Sequence, residues 1–232
     1  MRAAAKYSHS RDGVVSFAVV DEKGKLHAHH GRRVHHSASV VKVMLMVAYL
    51  REPDVRGRAL GKGDKDLLRP MIRHSDNDAA TAIYNRVGAE ALYGLARDAR
   101  MRHFRTQPVW GRSEITARDQ ARFMRRIRRY VPRRHRLYAL RLLKRIVPRQ
   151  RWGIPRAVPQ GWLPHFKGGW VPASEGGWWV NQVALLRKRP RPVTRKLSIA
   201  IFTRFTPSRR YGSRTIKGIT ERLLRGYNRL GP

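Results

Sequence analysis

Cysteine is absent from this 232-residue chain. That absence excludes disulfide scaffolds, thiolate zinc sites, iron–sulfur clusters and cysteine nucleophiles, and it leaves the redox compartment open. Acidic residues are scarce: 15 Asp and Glu face 51 Lys and Arg, a formal net charge of +36 with the ten His neutral. Long apolar runs are missing as well. The longest, Val43 to Leu50, spans eight residues, well short of the roughly 20 that a membrane-spanning helix needs. Met1 to Lys6 is basic and Ala-rich, but no hydrophobic segment follows it. The sequence therefore reads either as a cytoplasmic protein or as one that begins near a mature start.

What is present argues for a folded chain. Hydrophobic residues make up 41% and aromatic residues 9%, too many for a disordered basic tail. The length suits one domain or two intimately joined lobes. Arginine is densest from Arg122 to Arg156 and from Arg187 to Lys196. Such charge could serve a polyanion-binding surface, yet no zinc finger, RNA-recognition signature or phosphate-binding loop accompanies it. Solvent-facing arginine bias accounts for it without a specific nucleic-acid partner. Self-repulsion at this charge favours a monomer.

Gly13 to His30 reads as a β-hairpin around Gly24. From Ser37 to Leu50 an unbroken apolar stretch, stopped by Pro53, reads as a buried helix that starts near Ser37 or Ser39. Asp64–His74, Asp76–Val87 and Ala89–Ala99 follow as helices, the last two separated by Gly88. Thr116 and Asp119 form a capping box at the head of a helix that runs to about Arg129, and another helix follows Pro132. Prolines 148, 155, 159 and 164 mark an irregular connection. Strands then resume over 165–171, 177–186 and 196–205, before a closing helix over 215–230. This order predicts an α+β fold, a single domain over 1–232. Residues 1–34 and 162–232 supply an antiparallel sheet, residues 35–161 an inserted helical lobe, and a cleft lies between them.

Three short motifs fall on these elements: Ser39-Val-Val-Lys42 at the start of the buried helix, Ser75-Asp-Asn77 at a break between helices, and Lys167-Gly-Gly169 on the first late strand. Ser39 is the only serine in the chain with a lysine three residues on. Lysine at that spacing shares a helix face with the hydroxyl. Burial lowers a lysine pKa and equips it to activate the serine. Ser75, Asp76 and Asn77 are also ordinary helix-capping residues, and Gly168–Gly169 could be a plain strand end.

Together and in this order, the motifs resemble the S-x-x-K, S-D-N and K-T-G set of class A β-lactamases and penicillin-binding serine hydrolases. The stretch Met71-Ile-Arg-His-Ser-Asp-Asn-Asp-Ala-Ala-Thr81 strengthens the likeness. The resemblance implies an α/β sandwich with an all-α lobe and an acyl-enzyme mechanism without metal or organic cofactor. In it Ser39 is the nucleophile, Lys42 its base, and Ser75 the relay to the leaving nitrogen. Asn77 orients the substrate or nucleophile, and Lys167 attracts the substrate carboxylate. Gly168, Gly169 and Trp170 line the substrate, with the backbone N–H groups of Ser39 and Trp170 as the oxyanion hole. Implied substrates are β-lactams or peptidoglycan-type D-Ala-D-Ala amides, and the implied location is extracellular or in the cell envelope.

Departures from the family pattern refine this expectation. Gly168 stands where the family usually has a hydroxyl residue. Arg105 to Ser113 matches the loop that in class A enzymes bears a water-activating glutamate, and it contains no acidic residue. Glu114 reads as part of the following helix start rather than as that base. The connection from Ser39 to Ser75 is short, so a compact relative is implied. Acylation is expected and hydrolysis of the acyl-enzyme should be slow, as in a penicillin-binding D,D-peptidase or esterase. A catalytically inactive basic binder of anionic polymer or membrane surface is the competing reading. His27, His29, His30, His35 and His36 cluster in sequence, but with no carboxylate at ligand spacing they read as a solvated strand and turn. The aromatic group Trp162, Phe166, Trp170, Trp178 and Trp179 reads as strand core and cleft lining.

Overall fold

A computed structural model describes residues 1–188 and 195–225. In chain order the elements are α1 (Arg2–His9), β1 (Val14–Val20), β2 (Leu26–His29), β3 (Val34–His36), α2 (Lys42–Arg51), α3 (Pro53–Arg56), α4 (Lys62–Arg69), α5 (Asn77–Asp98), β4 (Glu114–Thr116), α6 (Ala117–Tyr130), α7 (Arg136–Lys144), β5 (Trp162–Pro172), β6 (Trp178–Lys188), β7 (Lys196–Thr206) and α8 (Arg209–Leu224). Strands β2, β1, β7, β6 and β5 form one five-stranded sheet in that order, and β3 pairs with β4 in a small second ribbon. Every neighbouring pair in the large sheet is antiparallel. The fold is the α+β arrangement expected, its main sheet drawn from both ends of the chain with α2 to α7 inserted between.

The strands read as continuous apolar runs because both faces of the sheet are covered. Residues Leu197 to Thr203 of β7 are buried without alternation, and both α6 and α8 pack on this strand. Helix α2 is buried all round: each residue from Lys42 to Leu50 is at most 2% exposed. A helix with no polar face belongs in the interior, and each of its fully buried Leu or Met side chains contributes about 2 kcal/mol. Thr116 caps α6 as expected, its Oγ1 accepting from the Asp119 N–H at 3.2 Å. Gly88, at φ 70°, divides α5 into the two helical stretches read from the sequence.

Three boundaries differ from expectation. Helix α1 was not foreseen, being too short to show a period. Tertiary contact sustains it: the Tyr7 ring lies beneath the Arg222 guanidinium of α8, 3.8 Å from its centroid. The helix expected over 64–74 stops at Arg69. Pro70 cannot donate the next helical hydrogen bond, and residues Pro70–His74 widen into a π turn instead. The closing helix starts at Arg209 rather than at 215, capped by Ser208, whose Oγ accepts from the Tyr211 N–H at 3.0 Å; residues 226–230 lie outside those described.

Candidate active site

Ser39 sits in a single 3-10 turn, Ala38–Val41, that leads directly into α2. Side chains three apart eclipse in a 3-10 turn, so Ser39 and Lys42 share one side of the chain as it enters the core. Ala38, at φ 45°, makes the sharp entry. Lys42 itself is fully buried. Its Nζ donates to the carbonyl oxygens of Ser75 (2.6 Å) and Asp76 (2.9 Å) and to Asn77 Oδ1 (2.8 Å), and it lies 3.5 Å from Ser75 Oγ. Burial pushes its pKa down to about 7, against a small opposing pull from Asp76. At that value a large fraction of Lys42 is neutral near pH 7, the form able to take a proton.

Ser75 arrives from the π turn in a left-handed conformation, φ 62° and ψ 35°. A non-glycine residue is held there only where its surroundings compensate the strain. Those surroundings are visible: the Ser75 carbonyl accepts from Lys42, the Asp76 N–H donates to Pro70 O at 3.1 Å, and Gln150 Nε2 donates to His74 O. Asp76 also caps α5, its Oδ1 accepting from the Ala79 N–H at 2.8 Å. The capping reading and the site reading of Ser75-Asp-Asn77 are therefore both true. Asp76 closes the helix, while Ser75 and Asn77 face Lys42.

Lys167, on β5, reaches the same point from the sheet side. Its Nζ donates to Ser75 Oγ at 2.8 Å and to Gly168 O at 2.6 Å. It is fully buried, and burial together with the neighbouring Lys42 drives its pKa well below the ordinary lysine range. Ser75 Oγ thus bridges two buried lysines. All three motifs meet at that hydroxyl.

Gly169 explains how the strand comes so close to the serine turn. A Cβ at this position would lie 2.4 Å from Ser39 N and 2.9 Å from Val40 N, so only glycine admits the approach of β5. The strand then continues to Trp170, whose backbone follows directly beside the Ser39 turn. Gly168 has a different reason: its missing Cβ would meet the Trp152 ring at 2.5 Å. Trp152 in turn stands edge-on to Trp170, ring centroids 5.8 Å apart, and the Arg209 guanidinium lies 4.1 Å from the Trp170 centroid. An aromatic wall occupies the space that a side chain at position 168 would fill.

Two residues at the site escaped the sequence reading. Trp152 lies in the proline-rich connection. Trp110 lies in the acid-free loop, where it stacks on the buried lysine: Lys42 Nζ is 4.8 Å from its ring centroid, and its Nε1 donates to Thr81 Oγ1 at 3.1 Å. Neither lies in a motif or a periodic segment, so no local signal marked them. Glu114 follows that loop in β4, paired with His36, and its N–H donates to Arg105 O at 2.7 Å. A separate cleft of about 550 Å³ between β1, β2 and α6 is lined by Arg100, Arg102, Arg122, Arg125 and Arg126 with Tyr130. It shares no lining residue with the Ser39 cluster.

The sequence model of the beta-lactamase enzyme family, Beta-lactamase2, matches residues 64–227. The chain belongs to this family. The matched stretch holds the second and third motifs, and the fold brings Ser39 and Lys42 to them. A β-lactamase from Sphaerobacter thermophilus superposes with a TM-score of 0.80 at 24% identity, covering 100% of this chain and 97% of that one. An ancestral class A β-lactamase gives 0.77 at 17%, covering 96% and 97%. The structure of PBP-A gives 0.78 at 18%, covering 99% and 96%. These likenesses show a β-lactamase fold. No curated protein matches the sequence.

Proposed function

We propose that this member of the β-lactamase family is a serine acyl-enzyme hydrolase with Ser39 as nucleophile and Lys42 as general base, taking β-lactams or D-Ala-D-Ala-like amides. The observation that carries the reading is a fully buried lysine at a pKa of about 7, one 3-10 turn from a serine and bonded to the second motif, where Lys167 of the third also meets Ser75. In the acylation step Ser39 Oγ bonds to the amide carbonyl carbon and its proton passes to Lys42 Nζ. Negative charge develops on the carbonyl oxygen, facing the backbone N–H groups of Ser39 and Trp170. As the C–N bond breaks, Ser75 Oγ gives its proton to the leaving nitrogen and recovers one from Lys42. Lys167, bonded to Ser75 and Gly168, faces the substrate carboxylate and is charged when that anion binds beside it, and Asn77 holds Lys42 in line.

Deacylation needs a base beside the ester and a water. The loop from Arg105 to Ser113 offers neither a carboxylate nor room at Lys42, since Trp110 covers that lysine. An acyl-enzyme that accumulates, in the manner of a penicillin-binding peptidase or esterase acting on cell-envelope substrates, is the form of the activity this loop favours. Intact-protein mass spectrometry after adding a penicillin tests it. Wild type should gain one long-lived adduct and Ser39→Ala none; labelling that persists in Ser39→Ala would refute the nucleophile, and rapid turnover would refute slow deacylation.

A further inference from the structure

The five histidines that cluster between positions 27 and 36 do not act as a unit. His27 Nε2 lies 2.9 Å from Asp21 Oδ2. His35 is buried, its Nε2 2.9 Å from Ser16 Oγ. His36 stacks on Trp179, ring centroids 4.6 Å apart. The remaining two, His29 at the end of β2 and His30 just beyond it, meet a residue that sequence spacing did not associate with them: His9, the last residue of α1. One ring nitrogen from each of His9, His29 and His30 lies within 4.8 Å of the other two. The centroids of His29 and His30 are 4.2 Å apart, and those of His9 and His29 5.2 Å.

Several features distinguish this triad from a chance meeting of surface imidazoles. Two segments distant in sequence converge, the end of α1 and the end of β2, and His30 joins from a left-handed backbone at φ 48°. Among the described residues none of the three rings makes a hydrogen bond to a protein group, unlike His27, His35 and His135. The Phe17 ring backs His29 at 5.2 Å. Imidazoles whose ring nitrogens converge and are not bonded to a protein group are available as ligands.

We infer that His9, His29 and His30 form a binding site for a divalent ion of the zinc class, with solvent completing the coordination, that clamps α1 to the edge of the sheet. Imidazole nitrogens suit zinc, copper and nickel rather than magnesium or calcium. Zinc–nitrogen bonds of about 2.0–2.1 Å place tetrahedral ligands about 3.4 Å apart, so the widest pair must close by about 1.4 Å. His9 and His30 are exposed and free to turn. The ligand set is neutral and Arg33 is near, so micromolar rather than tighter affinity is expected. Strand β2 and strand β5 are opposite edges of the sheet, roughly 19 Å apart at about 4.8 Å per strand. The ion is therefore structural and stands apart from acylation.

The test is titration of the untagged, chelator-stripped protein with Zn²⁺ and with Co²⁺ near neutral pH. One equivalent should bind, Co²⁺ should show the intense visible bands of a four-coordinate site, and saturating Zn²⁺ should raise Tm by several degrees. His9→Ala and His30→Ala should each weaken binding at least about tenfold, with unchanged circular dichroism and unchanged penicillin labelling. His103→Ala, an exposed histidine elsewhere, should change nothing. Absence of saturable binding up to millimolar metal overturns the site, and so does affinity that survives His9→Ala.

Discussion

Helix α2 carries two buried polar groups, and its ends treat them in opposite ways. At the far end Tyr49 donates to Asp64 Oδ1 at 2.7 Å, and Asp64 also accepts from Arg58 Nη1 at 2.6 Å and from the Gly61 N–H at 2.7 Å. Every charge there has its partner: Arg58, then Tyr49 and Gly61, hold the Asp64 carboxyl well below the usual carboxylate range, and burial with the Asp64 contact pushes Tyr49 up to about 12. At the near end Lys42 and Lys167 are buried together with no carboxylate between them, and the closest acid, Asp76, caps α5 instead. A closed network stabilises the fold. At the near end burial, without a carboxylate partner, holds both lysine pKa values low, so under the proposed mechanism the same helix separates stability from chemistry along its length.

The contrast can be broken at either end. Lys42→Met should reduce the acylation rate by about a thousandfold or more while changing the unfolding free energy by no more than about 1 kcal/mol, because relief of a buried amine is offset by the loss of its bonds to Ser75, Asp76 and Asn77; stopped-flow labelling and denaturant titration measure the two. Asp64→Asn should do the reverse, costing about 3 kcal/mol of stability by stranding Arg58 and Tyr49 and leaving acylation within about twofold at a temperature where the variant is folded.

The aromatic wall supplies a smaller effect. Gly168→Thr restores the family hydroxyl but drives a Cβ into Trp152, and overpacking of this kind costs about 2 kcal/mol. Adding Trp152→Ala should recover most of that loss; thermal unfolding of the single and double variants decides it. The smallest effect is the pH dependence. With neutral Lys42 as the proposed base, the acylation rate should fall about tenfold per unit below pH 7 and level off above it. A flat profile between pH 5.5 and 8 would dissociate Lys42 from the proton transfer.

Much of this was legible beforehand. The buried helix, the Thr116 cap, the Gly88 break, the late strands and the three motifs each rest on local signals: an unbroken apolar run, a hydroxyl three residues before an acid, a lone glycine, a lysine at helical spacing. What escaped depends on distance in space. Helix α1 stands only because Tyr7 meets Arg222 from the opposite end of the chain. The reason for Gly168 lies in Trp152, sixteen positions earlier in a connection with no period, and Trp110 declared nothing until its loop folded back over Lys42. His9 belongs to the same class, since no spacing relates it to His29.

The topology has a further consequence, for the order in which the molecule assembles. Strand β1 pairs with β7 across almost the whole chain, Val14 facing Arg204, and Ser39 touches Gly169 from either side of the helical lobe. Contacts of such long sequence separation close late and slowly, whereas the helices between them draw on local contacts. Ser39, Lys42 and the Gly169 strand should therefore come together only when the last long-range pairing is complete. Covalent labelling of Ser39 during refolding would therefore act as a clock for the final step, silent while the helices alone have formed and switched on by closure of the sheet.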